Sequence, residues 1–177
     1  MLRWQPRNHG PSGSKSARLY GKISAIAIGA LSLSGHPGTP ALVYNPSPSA
    51  PLGYYRTLPA RPLMRGDWVL VRAPKAARQL ADQRGYLSAS VPMIKTVVAL
   101  AGDRICASGS LIYVNGAMIA ARLHVDHHGR PLPWWTGCRT LGANDVFVIN
   151  RFSPSSFDGR YFGVVSREAV LARLVHL

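Results

Sequence analysis

Residues 93–107 read MIKTVVALAGDRICA. An apolar, β-branched run from Met93 to Leu100 stops at Gly102-Asp103 and resumes at Ile105-Cys106-Ala107. That is a strand, a turn and a second strand. Met93, Val97 and Ala99 fall on one face of the first strand, Ile94, Thr96 and Val98 on the other. A strand apolar on both faces is one that is covered on both faces. Lys95 breaks the pattern. Burial disfavours the ammonium and lowers its pKa, and a neutral amine is a general base. A lysine that snorkels to solvent at a sheet edge is the structural alternative.

The same signals recur on either side. GDWVLVR (66–72) alternates after a Gly-Asp turn and predicts a strand. KAARQLADQR (75–84) suits a short amphipathic helix. SLIYVNGAMIAA (110–121) predicts a hairpin, because Asn115-Gly116 supplies the left-handed residues of a type I′ turn. DVFVIN (145–150) is a further strand, and REAVLARLVHL (167–177) is a short helix or a final strand. Short strands separated by turn signals predict a mainly β domain of curled sheets.

The N-terminal region differs. Residues 1–22 hold five basic residues and no acidic one, among Gly, Ser and Pro, and suggest a loose cytoplasmic tail. ISAIAIGALSLSG (23–35) is apolar, and no charge appears between Lys22 and Arg56. Basic residues ahead of an apolar run form the pattern of a signal peptide or signal anchor. The run is short of the ~20 residues that span a bilayer, and the span is reached by extending it to residue 44 through His36, Pro37 and Pro40. The expectation is an N-terminal apolar membrane segment at 23–44, with the domain at 45–177 exported. A cleaved signal or a buried helix are the alternatives.

Composition narrows the function classes. With 47% apolar residues in 177, the chain can bury a core. The net charge of +14 invites a nucleic-acid reading, but the arginines are scattered and no nucleic-acid motif is visible. Attraction to an anionic lipid surface explains the excess as well, so a lipid membrane is the expected partner and nucleic acid is not. Cys106 and Cys138 are a disulfide or two buried thiols, and export favours the disulfide.

A base needs a group to deprotonate, and Ser-Lys pairs are one form of activated nucleophile. In YNPSPSAPLGYY (44–55), Ser49 is followed by Ala-Pro, and the prolines are expected to hold the segment extended. Ser-Pro alternation is also common in linkers. Ser12-Gly-Ser-Lys15 is a decoy in the basic tail. His124, Asp126, His127 and His128 lie in a loop-like stretch, and neither a metal nor any other cofactor is expected there. Trp134-Trp135 suits core packing, a cleft wall or a membrane-dipping tip.

Four boxes, taken in order, resemble the signal peptidase I superfamily, and most of all its conjugal-transfer, TraF-type branch. They are NPSPSAPLGYYR (45–56), RGDWVLVR (65–72), MIKTVVALAGDRI (93–105) with IYVNG (112–116) downstream, and SSFDGRYFGVV (155–165). The resemblance implies the family's curled antiparallel sheets and a Ser/Lys dyad, with Ser49 as nucleophile and Lys95 as general base. It implies Ser47 as an oxyanion donor beside the Ser49 N–H, Ser156 near the lysine, and Asp158 with Arg160 as a supporting pair. Asp158 equally suits a purely structural pairing with Arg160. Gly159 departs from the family, where a serine is common, and Ala50 stands where leader peptidases carry Met.

The function implied is a serine endopeptidase anchored in a bacterial inner membrane, with its catalytic domain in the periplasm. It would cleave precursor proteins after small residues, a pilin-like precursor above all. A general signal peptidase is the alternative enzyme. A non-catalytic, basic, membrane-attached transfer or DNA-binding component is the alternative of another class.

Overall fold

The computed structural model describes residues 39–177. The expected basic tail, and the expected membrane segment up to residue 38, lie outside the described residues. In chain order the elements are β1 (Leu42–Asn45), β2 (Gly53–Leu58), β3 (Trp68–Val71), α1 (Lys75–Gln83), β4 (Met93–Ala99), β5 (Arg104–Ser108), β6 (Leu111–Val114) and β7 (Ala117–Ala121). There follow β8 (Gly137–Thr140), β9 (Asp145–Val148), α2 (Gly159–Phe162), β10 (Val165–Ser166), a 3-10 turn (Arg167–Ala169) and β11 (Val170–His176). The fold is mainly β, as expected. Among the described residues, no helix is long and apolar enough to cross a membrane.

One boundary changes. Leu42, Val43 and Tyr44, counted above in the membrane segment, belong to β1, where they pair with Arg56, Tyr55 and Tyr54. The Tyr44 and Tyr54 rings pack at a tilt across that pair, centroids 5.0 Å apart, which is the cross-strand contact that favours a sheet.

The strands form two antiparallel sheets. A seven-stranded sheet runs β1-β2-β11-β3-β4-β9-β10, and a four-stranded sheet runs β7-β6-β5-β8. β9 shows why both faces of the large sheet are apolar. Val146 and Val148 enter the core under α1, with Val69, Val97 and Ala81. Phe147 and Ile149 enter the core of the small sheet, with Ile105 and Ile112. A third cluster, Tyr55, Leu70, Ile94 and Leu174, takes in Ala50 from the loop after β1.

The chain end resolves to a strand. Ala, Leu, Arg and Glu favour a helix at 167–177, but β11 pairs with β2 on one side and β3 on the other. Its alternate residues Val170, Ala172 and Leu174 are buried. Pairing on both edges outweighs the weak helical propensity. The Asn-Gly hairpin forms as the turn chemistry requires, with φ of 51° at Asn115 and 83° at Gly116.

Candidate active site

Lys95 lies in the middle of β4, directly opposite Val69 of β3. Its side chain is buried, and its Nζ donates to Ser156 Oγ at 2.8 Å. Burial pulls the Lys95 ammonium down to about 8. Asp158 pushes it up and Arg160 pushes it down, so the two neighbouring charges oppose each other and desolvation decides the direction. The lysine does not snorkel.

The loop from Pro46 to Leu52 is a turn, not the extended segment expected from its prolines. Ala50 N–H donates to Ser47 O at 3.5 Å, which puts Pro48 at the second turn position, where its fixed φ is favoured. Asn45, buried at the end of β1, shapes the turn. Its Nδ2 shares two hydrogens among Ser47 O, Ala50 O and Pro51 O at 2.9, 3.1 and 2.9 Å, and its Oδ1 accepts from Ser47 N–H at 3.1 Å. Tyr55 hydroxyl donates to Pro51 O at 2.7 Å.

Within that turn the two serine hydroxyls sit 3.1 Å apart, and Ser49 N–H donates to Ser47 Oγ at 3.4 Å. The two candidate oxyanion donors are therefore adjacent. Lys95 bonds to Ser156 rather than to Ser49. An open pocket of about 370 Å³ lies beside Ser49, with Pro48, Ala50, Leu52, Trp68, Asn150 and Phe152 in its wall.

Asp158 and Arg160 form a fully buried pair. The Asp158 carboxylate accepts from Arg160 Nε at 2.9 Å and Nη2 at 2.8 Å, and also caps α2 through Arg160 N–H at 3.2 Å. Arg160 then donates to the carbonyls of Ser153, Pro154 and Ser156 at 2.6, 3.1 and 3.2 Å. One guanidinium thus folds the segment that presents Ser156 to Lys95. Here the geometry supports the structural reading of Asp158 and Arg160.

Gly159 has a steric cause. A Cβ there would stand 2.6 Å from Val148 O and 2.8 Å from a Phe147 ring carbon. The family's common serine does not fit this backbone.

Asn150 escaped the sequence reading. It is buried, and its side chain spans two segments. Nδ2 donates to Ser49 O at 2.7 Å and to Ile94 O at 3.0 Å, while Oδ1 accepts from Thr96 N–H at 3.0 Å. Its one signal in the sequence is the polar end of DVFVIN, which reads equally as the last residue of a strand.

The remaining candidates lie elsewhere. Cys106 and Cys138 form a disulfide across the β5–β8 pair, with Cα atoms 4.0 Å apart. Asp126 is engaged by Tyr86 hydroxyl, by Arg130 Nε at 2.7 Å and by His128 N–H at 2.9 Å. Burial alone would raise its carboxyl, but these bonds hold it well below the usual carboxylate range. Trp134 packs at a tilt against His124 and lies under the Arg122 guanidinium, and Trp135 Nε1–H donates to Gly159 O at 2.9 Å. Both tryptophans are packing residues of this loop.

The comparisons with known proteins bear on the family to which the chain belongs. Residues 18–177 match the family model for signal peptidase, peptidase S26. A plasmid transfer protein TraF of Escherichia coli is 33% identical over 159 residues, 82% of this chain and 89% of that protein. A probable conjugal transfer protein TraF of Sinorhizobium fredii is 35% identical over 137 residues, 72% of this chain and 71% of that protein. A signal peptidase I structure from Enterococcus faecalis V583 is similar at a TM-score of 0.40 and 18% identity, covering 65% of this chain and 98% of that one. The chain belongs to the signal peptidase family, peptidase S26, in its TraF-like branch.

Proposed function

We propose that this protein is a serine endopeptidase that uses Ser49 as nucleophile and Lys95 as general base. The observation that carries the reading is the buried lysine of β4, whose pKa falls to about 8. A lysine so placed is partly neutral at physiological pH and can take a proton from a hydroxyl. Lys95 is not hydrogen-bonded to Ser49 in the free protein, and catalytic bonds of this kind are often long until substrate binds.

Ser49 Oγ attacks the scissile carbonyl carbon, and its proton passes to neutral Lys95. The oxyanion is held by Ser47 Oγ–H and by Ser49 N–H, which leaves its 3.4 Å bond to Ser47 Oγ to do so, each donor commonly worth about 3 kcal/mol in the transition state. The carbon–nitrogen bond breaks, and the leaving amine takes the proton from the Lys95 ammonium. Water, deprotonated by Lys95, then attacks the acyl carbon; the ester C–O bond breaks, Ser49 Oγ takes the proton back from the Lys95 ammonium, and the new carboxyl end is released. Ser156 holds Nζ through its Oγ.

In this reading the substrate is a precursor protein, a conjugative pilin or another transfer component, cut after small residues. The TraF names of the relatives support that substrate class. The basic residues ahead of an uncharged apolar run support attachment to the inner membrane, with the domain in the periplasm. The test is to incubate the full chain with the pilin precursor of its own transfer system and weigh the products. One new cleavage, absent with Ser49→Ala, is expected. An intact precursor with active, folded wild type would reject this substrate.

A further inference from the structure

We infer that Asn150 is a positioning residue, which docks the Ser49 turn onto β4 by standing in for a missing strand. β9 pairs with β4 through Val97↔Val148 and Ala99↔Phe147, and its span ends at Val148. Beyond that point β4 needs new partners for Ile94 O and Thr96 N–H, the groups on either side of Lys95. Ile149 N–H still reaches Thr96 O at 2.9 Å. The Asn150 carboxamide then supplies what a continuing backbone would: Oδ1 accepts from Thr96 N–H at 3.0 Å, and one Nδ2 hydrogen goes to Ile94 O at 3.0 Å.

The second Nδ2 hydrogen goes to Ser49 O at 2.7 Å. A backbone amide has one hydrogen and could not do both. An aspartate has acceptors only, and a serine offers a single hydrogen. The carboxamide is the group that satisfies all three partners at once. Asn150 is also fixed from behind: its N–H donates to Asp158 Oδ2 at 3.1 Å, and its carbonyl accepts from Arg160 Nη2 at 3.3 Å. It therefore ties together the turn bearing Ser49, the strand bearing Lys95 and the buried Asp158–Arg160 pair. Asn45 shapes the turn; Asn150 sets where that turn sits.

The role in turnover rests on the peptidase reading proposed above, while the docking role does not. Two variants and two readouts separate them. Asn150→Asp keeps the volume and the bond to Thr96 but loses both donors. Asn150→Ala removes the whole bridge. Hydrogen exchange of residues 47–53 in the full chain reads the docking without any substrate. Turnover of a precursor reporter with an Ala-x-Ala cleavage region reads the chemistry.

The expected result is faster exchange in residues 47–53 for both variants, with β6 and β11 exchanging as in wild type. With it should come a fall in kcat of about a hundredfold at nearly unchanged KM, the scale of a small misplacement of reacting groups. A merely structural loss would instead lower the active fraction in step with global stability. Unchanged exchange in residues 47–53 in a folded variant overturns the docking role. Wild-type kcat in a folded variant overturns the role in turnover. An inactive wild type rejects the peptidase reading, and the exchange data still decide whether Asn150 docks the turn.

Discussion

Lys95 Nζ and Ser156 Oγ share a 2.8 Å hydrogen bond in the buried interior, joining the interior strand β4 to the segment folded by Arg160. The bond gives a flexible four-carbon side chain one orientation. Ser156→Ala should therefore leave the fold intact and lower kcat by roughly ten- to a hundredfold, with KM little changed. Steady-state kinetics on the precursor check this. Unchanged kcat would show that Lys95 is oriented without Ser156.

The second prediction concerns pH and rate. Lys95 acts as a base only when neutral, and its pKa lies at about 8. Below that value the neutral fraction, and with it kcat/KM, should fall about tenfold per pH unit. Above it the rate should level off. A profile flat from pH 6 to 9 would contradict a lysine base.

Burial of Lys95 also makes a stability prediction. Its pKa falls from 10.5 to about 8 on folding, so the unfolded chain binds more protons between those values. Stability contributed by this group must rise with pH across that window, and below about 8 the penalty is complete. Lys95→Met should remove this dependence. It should also raise stability at pH 7 by on the order of 2 kcal/mol, after allowing for the lost Ser156 bond. Thermal unfolding of both proteins from pH 7 to 10 checks the difference. A destabilised Lys95→Met protein would mean that the ammonium is well solvated.

Gly159 gives a steric prediction. Alanine there would press its Cβ against the Val148 carbonyl in the backbone of β9 and against the Phe147 ring, buried in the core of the small sheet. The backbone must shift, at a cost of about 1–3 kcal/mol. Because Asp158 and Arg160 flank this position, kcat should fall as well. A Gly159→Ala protein with wild-type Tm and kcat would show that the segment yields freely.

Much of this was legible in local pattern. Apolar neighbours on both faces mark Lys95 as out of place, buried or snorkelling at an edge, and pairing of β4 with β3 and β9 decides for burial; Asn115-Gly116 dictates its own turn. The role of Asn150 depends on where β9 stops pairing with β4, which no local pattern encodes. DVFVIN continues as a strand as far as sequence is concerned. The turn at Ser49 was missed for a related reason. Prolines restrict φ, but the choice between an extended and a turned chain was made by Asn45, through bonds to four backbone groups of the loop. The final strand was ambiguous because its helix-favouring residues are overruled by partners more than a hundred residues earlier in the chain.

The Ser49–Lys95 dyad is tested most directly by purified wild-type, Ser49→Ala and Lys95→Ala proteins, each shown to be folded, mixed with the precursor and followed by mass. Cleavage by wild type alone is the predicted result. Substantial cleavage by folded Lys95→Ala protein would contradict the dyad.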